Sequence, residues 1–470
     1  MSGQRYSHSK MTSLLSILRE GGDRGDRYLA GAEGRVSFAD LTRYTALYNR
    51  GEFLRGQSVL LATDNQMTTA MALIELDGIA SRIVLCPPET PVEHLTYVME
   101  AADVDAIVSN RFVAGVPTSR RMTFLPSSKE PAPAEMDRSE EHPTEWILLT
   151  SGTTGMPKLV VHTLATLTAG IDTRSSMGDV AIWSTFYDIR RYGGLQILLR
   201  ALLSGSTLIL SEASEPLPDF LWRAAHHGVT HISGTPSHWR HVLMSDAARL
   251  IAPKYLRLSG EITDQGILNQ LSATYPDAHL VHAFASTEAG VAFEVHDGMA
   301  GFPRELLHQT EGVEMKVEDR TLHVRSARNA HRYLGTQAPA MKSSDGFVDT
   351  KDVLEERNGR FYFAGRLDGA INIGGLKAHP EEIESVINRH PAVQMSVVRM
   401  KRNPITGAIV VADVVLRAAP EIQSQDLNDL EQDILMFCRN YLTAYKVPAA
   451  LYFIPDFPTA VSGKVMRAHA

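Results

Sequence analysis

Short apolar runs punctuate the first two-thirds of the chain, and stretches with helical spacing separate them. Gln57–Thr63, Arg82–Cys86 and Asp105–Ser109 read as buried strands, and Val180–Phe186, Thr207–Ser211, Thr230–Ser233 and His279–Ala283 continue the series. Strands alternating with helices in this way predict an α/β fold built on doubly wound sheets. Ser37-Phe38-Ala39-Asp40 has the form of a capping box and predicts a helix carrying Leu41, Tyr44 and Leu47 on one face. Pro126–Pro143, rich in proline and acidic residues, reads as a surface excursion. Trp146-Ile147-Leu148-Leu149 and Leu159-Val160-Val161 then predict two strands enclosing a short polar turn.

Beyond Asp368 the pattern changes. Pro380 suits the first position of a helix, with Glu381 and Glu382 in its first turn, where negative charge favours the helix dipole. Ile383, Val386 and Ile387 give that helix an apolar face, and His390-Pro391 ends it. The runs Val393–Met400 and Ala408–Leu416 predict strands joined at Asn403–Gly407, a strong turn sequence. A helix from Asp426 to Leu442 and a strand at Ala450–Ile454 complete a small α+β unit. The expected organisation is a large domain over 1–367 and a small one over 368–470.

Composition narrows the class of function. A chain of 470 residues with 44% hydrophobic content can bury two or three compact units. Its net charge of −8 argues against a general nucleic-acid binder. Cys86 and Cys438 are too few and too far apart for a disulfide framework or structural zinc. The polar N-terminus does not resemble a signal peptide, and no apolar run is long enough for a membrane span, so a cytoplasmic protein is expected. Of the histidines, His238 and His241 can share a helix face, but no third ligand stands at a recognised metal spacing. A homodimer is compatible with all of this.

The polar turn carries the first chemistry. Leu149-Thr150-Ser151-Gly152-Thr153-Thr154-Gly155-Met156-Pro157-Lys158 packs hydroxyls, glycines and a lysine between the two strands. Small residues let successive N–H groups approach an anion, hydroxyls add donors, and Lys158 adds a point charge. The lysine does not directly follow glycine and open a helix, so this is not a Walker A loop.

TSGTTGMPK resembles the phosphate-loop signature of the adenylate-forming superfamily, which includes acyl- and aryl-CoA ligases, luciferases and peptide-synthetase adenylation domains. Further motifs of that family follow in order. Ala285-Ser286-Thr287-Glu288-Ala289-Gly290 is similar to its YGxTE motif and Asp349-Thr350-Lys351-Asp352 to its TGD. Gly365-Arg366-Leu367-Asp368 resembles its hinge, Gly374–Glu384 its GxKxxPxEIE segment, and Ser462-Gly463-Lys464 its terminal lysine motif. The resemblance covers nearly the whole chain. It implies ATP, Mg²⁺, a small carboxylic acid and an acyl acceptor, with CoA or an amine as that acceptor.

It also implies roles for particular residues. Thr150, Ser151, Gly152, Thr153, Thr154, Gly155 and Lys158 would hold the β- and γ-phosphates, and Thr287 would meet the α-phosphate. Glu288 would bind Mg²⁺, Asp352 the ribose, and Arg366 would lie near both ribose and phosphate. Asp368 would be the hinge of a mobile lid, Lys377 would belong to the loop that swings with it, and Lys464 would stabilise charge during adenylation. Lys351 stands where the family motif has glycine.

The acid pocket implied by the resemblance takes in Trp183, Phe186, Tyr187, Tyr192, Gly193 and Gly194, with Ser259, Gly260, His282 and Ala283. Aromatic and small residues together suggest a compact aryl or cyclic acid. Arg190-Arg191 are candidates for a substrate carboxylate or CoA phosphate, or solvated surface. Gly374-Gly375 fit a pantetheine tunnel and fit a tight turn equally. Asn403–Leu416 and FASTEAG are similar to a subgroup holding both CoA ligases and amide-forming ligases of the coronafacate-ligase type. A non-catalytic adenylate-binding protein is the alternative of another class, but a sensor has no need of Lys464.

Overall fold

The computed structural model describes residues 13–21, 26–116, 123–126, 132–134, 142–150, 155–171, 181–335, 338–373, 375–403, 407–417 and 424–457. Its fold is a mixed α/β one with a large N-terminal and a small C-terminal domain. By contact density the chain divides into two compact units. The first comprises Met1–Ser233, Ala285–Ala292 and Arg325–Val348; the second comprises Gly234–Phe284, Phe293–Val324 and Asp349–Ala470.

The first unit is organised by a seven-stranded sheet. Its order is Arg332–Leu334, Lys158–Thr163, Glu145–Thr150, Arg82–Leu85, Ser58–Leu61, Ala106–Ser109, Thr123–Pro126. The five strands from Glu145–Thr150 to Thr123–Pro126 run parallel. Every residue of Ser58–Leu61 and Ala106–Ser109 is buried, as expected for strands covered on both faces. Lys158–Thr163 is antiparallel to Glu145–Thr150, because the chain joining them is too short for the crossover that parallel strands require. A second parallel set, Tyr28–Ala30, Thr207–Leu210 and Ile182–Thr185, lies in the same unit, and His231 to Ser233 pair parallel to Ile182–Thr185.

Two sequence expectations change here. The helix begun at Ser37 ends at Arg43, so Tyr44 and Leu47 are not on its face. Tyr44–Thr45 is instead a strand paired with Ala132–Pro133, which ties part of the supposed surface excursion into the fold. A buried carboxylate drives the change: Glu75 accepts from Thr45 Oγ1 at 2.5 Å and from the Ala46 N–H at 2.9 Å, pulling the chain out of helical geometry.

The second unit holds Tyr255–Ser259 paired parallel with residues 279–283, and all but a few end residues of a five-stranded sheet. That sheet runs Phe302–Pro303, Arg360–Arg366, Val348–Arg357, Thr321–Ser326, Val313–Glu318. The same unit carries Pro380–Ile387, with proline at its start, and Ser424–Tyr441. Both helices accompany a sheet of Val393–Asn403, Gly407–Leu416 and Leu451–Phe453. Ile383, Ile387, Val398, Val410, Val414, Ile434 and Cys438 belong to its core. Residues 404–406, the middle of the expected turn, lie outside the described residues.

His238 is part of a capping device in this unit. Helix Pro236–Met244 starts at Thr235, whose hydroxyl accepts from the His238 N–H, while the His238 ring returns a bond to the Thr235 backbone. Among the described residues no group of three potential ligands stands together to hold a metal. Desolvation of the half-buried His238 ring drives its pKa down to about 3 from its ordinary 6.5. The unfolded chain therefore binds the proton more tightly, so stability is fully present above pH 6.5 and declines as pH falls toward 3. His238→Gln keeps an acceptor for the cap and removes the titration. Urea unfolding from about pH 7 to about pH 4 is expected to show a shallower loss of stability for this variant than for the native chain; parallel curves would contradict it.

Candidate active site

In the first unit the phosphate-loop segment leaves one strand and enters the next. Thr150 and Lys158 face each other across the pair, so the mouth of the loop is fixed by sheet register. Residues 151–154, and with them Ser151, Gly152, Thr153 and Thr154, lie outside the described residues. Gly155 has φ +85°, a conformation that favours glycine. Thr150 Oγ1 is buried and has no hydrogen-bond partner among the described residues. An orphaned hydroxyl at the loop mouth fits a phosphate ligand, since such a group is costly to leave unpaired.

The turn Thr287–Glu288 is held in the same unit by two groups the sequence did not single out. Tyr333 Oη donates to Glu288 Oε1 at 3.0 Å, and Lys158 Nζ lies 5.4 Å from the centre of the Tyr333 ring. One side chain thus touches the carboxylate and attracts the lysine. His162, fully buried, places Nε2 at 2.7 Å from the Thr287 carbonyl oxygen. The Ala330 N–H donates to the Glu288 carbonyl at 2.9 Å, and the Ala289 N–H donates to Ser286 Oγ at 2.9 Å. Gly290 closes the turn at φ +75°, where a Cβ would meet the Arg328 carbonyl oxygen at 2.7 Å.

A half-buried carboxylate anchored through one oxygen suits Mg²⁺, which takes one or two carboxylates and fills its other positions with phosphate and water. Tyr333 supplies the outer contact that orients such a ligand. The sequence signal for Tyr333 was weak: it lies in a polar stretch, and only pairing of Arg332–Leu334 with Lys158–Thr163 brings it to Glu288.

The aromatic candidates divide. Tyr192 opens helix Tyr192–Ser204 with its ring 5.7 Å from His162, and a Cβ on Gly193 would touch the Tyr187 ring at 3.4 Å. Phe186 meets Phe220 edge-on at 5.2 Å. Trp183 stands near the start of strand Ile182–Thr185, 4.7 Å from His231 and beneath Arg200, away from the strand end where α/β sites form. Gly194 is a close approach: a Cβ there would lie 2.3 Å from the Asp188 carbonyl oxygen. Arg190 is committed elsewhere. It is buried, bidentate to Asp188 at 2.8 and 2.6 Å, and bonded to the Thr63 carbonyl, while Arg191 pairs with Glu89.

The second unit carries the remaining candidates. Asp352 and Arg366 oppose each other across Val348–Arg357 and Arg360–Arg366, with Arg366 Nη1 4.0 Å from Asp352 Oδ1. Arg366 also donates to Asp368 at 3.0 Å and to the Thr350 carbonyl at 3.3 Å. Lys351 has φ +64°, the left-handed conformation that accounts for glycine in the resembling motif. Its ammonium pairs with Asp349, whose pKa burial would raise; the Lys351 contacts outweigh this and hold it below the ordinary carboxylate value. Lys377 is exposed on the short strand Leu376–Ala378. Ser259 ends strand Tyr255–Ser259, with Gly260 next at φ +85°. His282 Nε2 donates to the Met299 carbonyl at 2.9 Å, and burial lowers its pKa, so it stands neutral beside the buried Ala283. Gly374 and Lys464 lie outside the described residues.

Comparison with known proteins names the arrangement. The AMP-binding enzyme model matches residues 45–327, and the AMP-binding enzyme C-terminal domain matches residues 382–464. The chain belongs to the AMP-binding enzyme family. By class it is an AMP-forming acid ligase of the acyl-CoA synthetase type. It is similar to acetyl-coenzyme A synthetase 2 of Zygosaccharomyces bailii, 26% identical over 403 residues, 74% of this chain and 56% of that protein. It is also similar to 2-succinylbenzoate–CoA ligase of Bacillus cytotoxicus, 26% identical over 440 residues and 88% of each. Its fold matches an anthranilate CoA ligase, AuaEII, in complex with anthranoyl-AMP, with a TM-score of 0.81 at 14% identity over 96% of this chain and 95% of that one. The amide bond synthetase McbA from Marinactinospora thermotolerans matches with a TM-score of 0.74 at 20% identity, over 96% and 98%. Among the described residues no helix is long and apolar enough to cross a membrane.

In this AMP-binding enzyme, Tyr333→Phe deletes the donor to Glu288 and keeps the ring beside Lys158. It is expected to raise the Mg²⁺ concentration for half-maximal ATP turnover about 10-fold, a usual effect of losing an outer contact to a metal ligand. A Mg²⁺ titration at fixed ATP checks this, and an unchanged midpoint would contradict it.

Proposed function

We propose that this enzyme activates a compact aryl or cyclic carboxylic acid as its acyl-adenylate and then transfers the acyl group to CoA. The observation that supports it most is the Lys158–Tyr333–Glu288 contact, which joins the loop lysine to the carboxylate of the following motif. A carboxylate is a poor acyl donor because its leaving group would be oxide. In the first step its oxygen bonds to the α-phosphorus of ATP, the bond to the bridging oxygen breaks, and pyrophosphate leaves. In the second the CoA sulfur attacks the acyl carbon, the acyl–oxygen bond breaks, and AMP leaves.

Catalysis of the first step asks for two anions held together and for charge stabilised as it develops. Thr150, Ser151, Thr153, Thr154 and Lys158 would receive the β- and γ-phosphates, Thr287 the α-phosphate, Asp352 the ribose and Arg366 both ribose and phosphate. Glu288 would hold Mg²⁺, which when bound neutralises phosphate charge. Lys464, the last residue matched by the C-terminal model, would reach the carboxylate and α-phosphate oxygens. The lid would span 368–470 and turn about Asp368, which Arg366 grips from the preceding strand.

The acid class rests on the aromatic and small residues Tyr187, Tyr192 and Gly193, which pack near one another, and on relatives named for aryl acids. A second acceptor has its own support. The fold matches an amide bond synthetase about as closely as it matches CoA ligases, so an amine is the alternative.

Pyrophosphate release with Mg-ATP and a panel of aryl, cyclic and short aliphatic acids tests the reading, each active acid then being supplied with CoA, an amine or neither. Release with a compact aryl or cyclic acid and a thioester product by mass supports it. An amide without CoA would replace the acceptor, and ATP binding without release for any acid would leave a non-catalytic binder. Lys464→Ala is expected to lower adenylation about 10²- to 10³-fold, as for loss of a preorganised donor to developing charge. Transfer from supplied acyl-adenylate should be nearly unchanged, and equal loss in both steps would overturn that role.

A further inference from the structure

The strand Lys158–Thr163 is linked to the Thr287–Glu288 turn in two ways, one direct and one through Tyr333. Lys158 and His162 share one face of it, since side chains alternate along a strand. From the first, the path runs through Tyr333 to the Glu288 carboxylate. From the second it runs directly to the Thr287 carbonyl.

A carbonyl oxygen has no proton to give, so His162 must present Nε2–H to Thr287. Its other ring nitrogen, Nδ1, then accepts, with Thr166 Oγ1 2.9 Å away, whose single proton is shared with the Thr163 carbonyl at 3.0 Å. Thr166 is fixed in turn by the capping box that begins helix Leu164–Thr168. Both ring nitrogens are therefore satisfied in one neutral tautomer, inside a fully buried position. Tyr192 closes the ring's surroundings at 5.7 Å. The carbonyl that satisfies this N–H belongs to the peptide that links Thr287 to Glu288.

We propose that His162 is a positioning residue for the nucleotide half-reaction. Its Nε2–H pins the peptide joining Thr287 to Glu288 and so sets the α-phosphate contact and the metal carboxylate in register with the loop that ends at Lys158. The inference rests on the adenylation reading above and adds a residue no motif contains. It contacts neither ATP nor metal, and it acts through Thr287.

Three variants separate positioning from packing. His162→Gln places an amide N–H the same number of bonds from the backbone as Nε2. His162→Asn places the amide at the Nδ1 position instead, and His162→Leu has no N–H to offer. Calorimetric titration with ATP, with and without Mg²⁺, reads binding without needing the acid. His162→Leu and His162→Asn are expected to lose most of the gain in ATP affinity that Mg²⁺ gives, and His162→Gln to keep it. With an active acid, the first two should lower the adenylation kcat about 10- to 100-fold, the scale of a small misplacement of reacting groups. The KM for the acid and transfer from supplied acyl-adenylate should stay near native, and the glutamine variant should restore most of the rate. Native Mg²⁺ dependence in His162→Leu would overturn the proposal. So would equal loss in His162→Leu and His162→Gln accompanied by a common fall in melting temperature. If the native protein shows Mg²⁺-enhanced ATP binding but no adenylation, the functional reading fails while the binding comparison still decides the role of His162.

Discussion

One short antiparallel strand organises the candidate site of the first unit. Lys158–Thr163 is added beside a parallel sheet because the loop before it is too short for a crossover, and that constraint decides what can reach what. On one side its register sets Thr150 against Lys158. On its other edge it pairs with Arg332–Leu334, which delivers Tyr333 to Glu288. From its own face it sends His162 to Thr287. The candidate phosphate loop and the candidate metal carboxylate, far apart in sequence, are thereby referenced to the same few residues of backbone.

This fixes where precision is located. The two ends of the loop, Thr150 and Lys158, are defined by hydrogen-bonded strands. The turn of Thr287 and Glu288 has little apolar surface, and its geometry comes from directed bonds to buried or half-buried donors. Such bonds cost much to break when buried and so specify one arrangement. In the second unit, Asp352 and Arg366 are set by the same device, opposition across an antiparallel pair, and the strain of a left-handed Lys351 is accepted next to Asp352.

Much of this was legible in sequence, and the remainder failed for identifiable reasons. Buried parallel strands announce themselves as apolar runs, so Ser58–Leu61, Arg82–Leu85 and Thr207–Leu210 were found within a few residues. The five-stranded sheet was not, because strands such as Val313–Glu318 bury alternate positions only and carry charge between. The helix after Ser37 was overextended because Glu75, distant in sequence, captures Thr45 and Ala46. Thr287 and Glu288 stood out through their motif. His162 did not, since a histidine after apolar residues reads as core, and Tyr333 required a strand pairing that no local pattern encodes. Arg190, by sequence either a ligand anchor or solvated surface, is neither: it is a buried partner of Asp188.

The central claim is that the acid's own oxygen becomes bonded to the α-phosphorus. Turnover of an accepted acid labelled with ¹⁸O in both carboxylate oxygens, followed by mass analysis of the nucleotide, measures that bond directly. AMP carrying one ¹⁸O and pyrophosphate carrying none is the expected result. Unlabelled AMP, or label in a phosphate released from the γ-position, would contradict it.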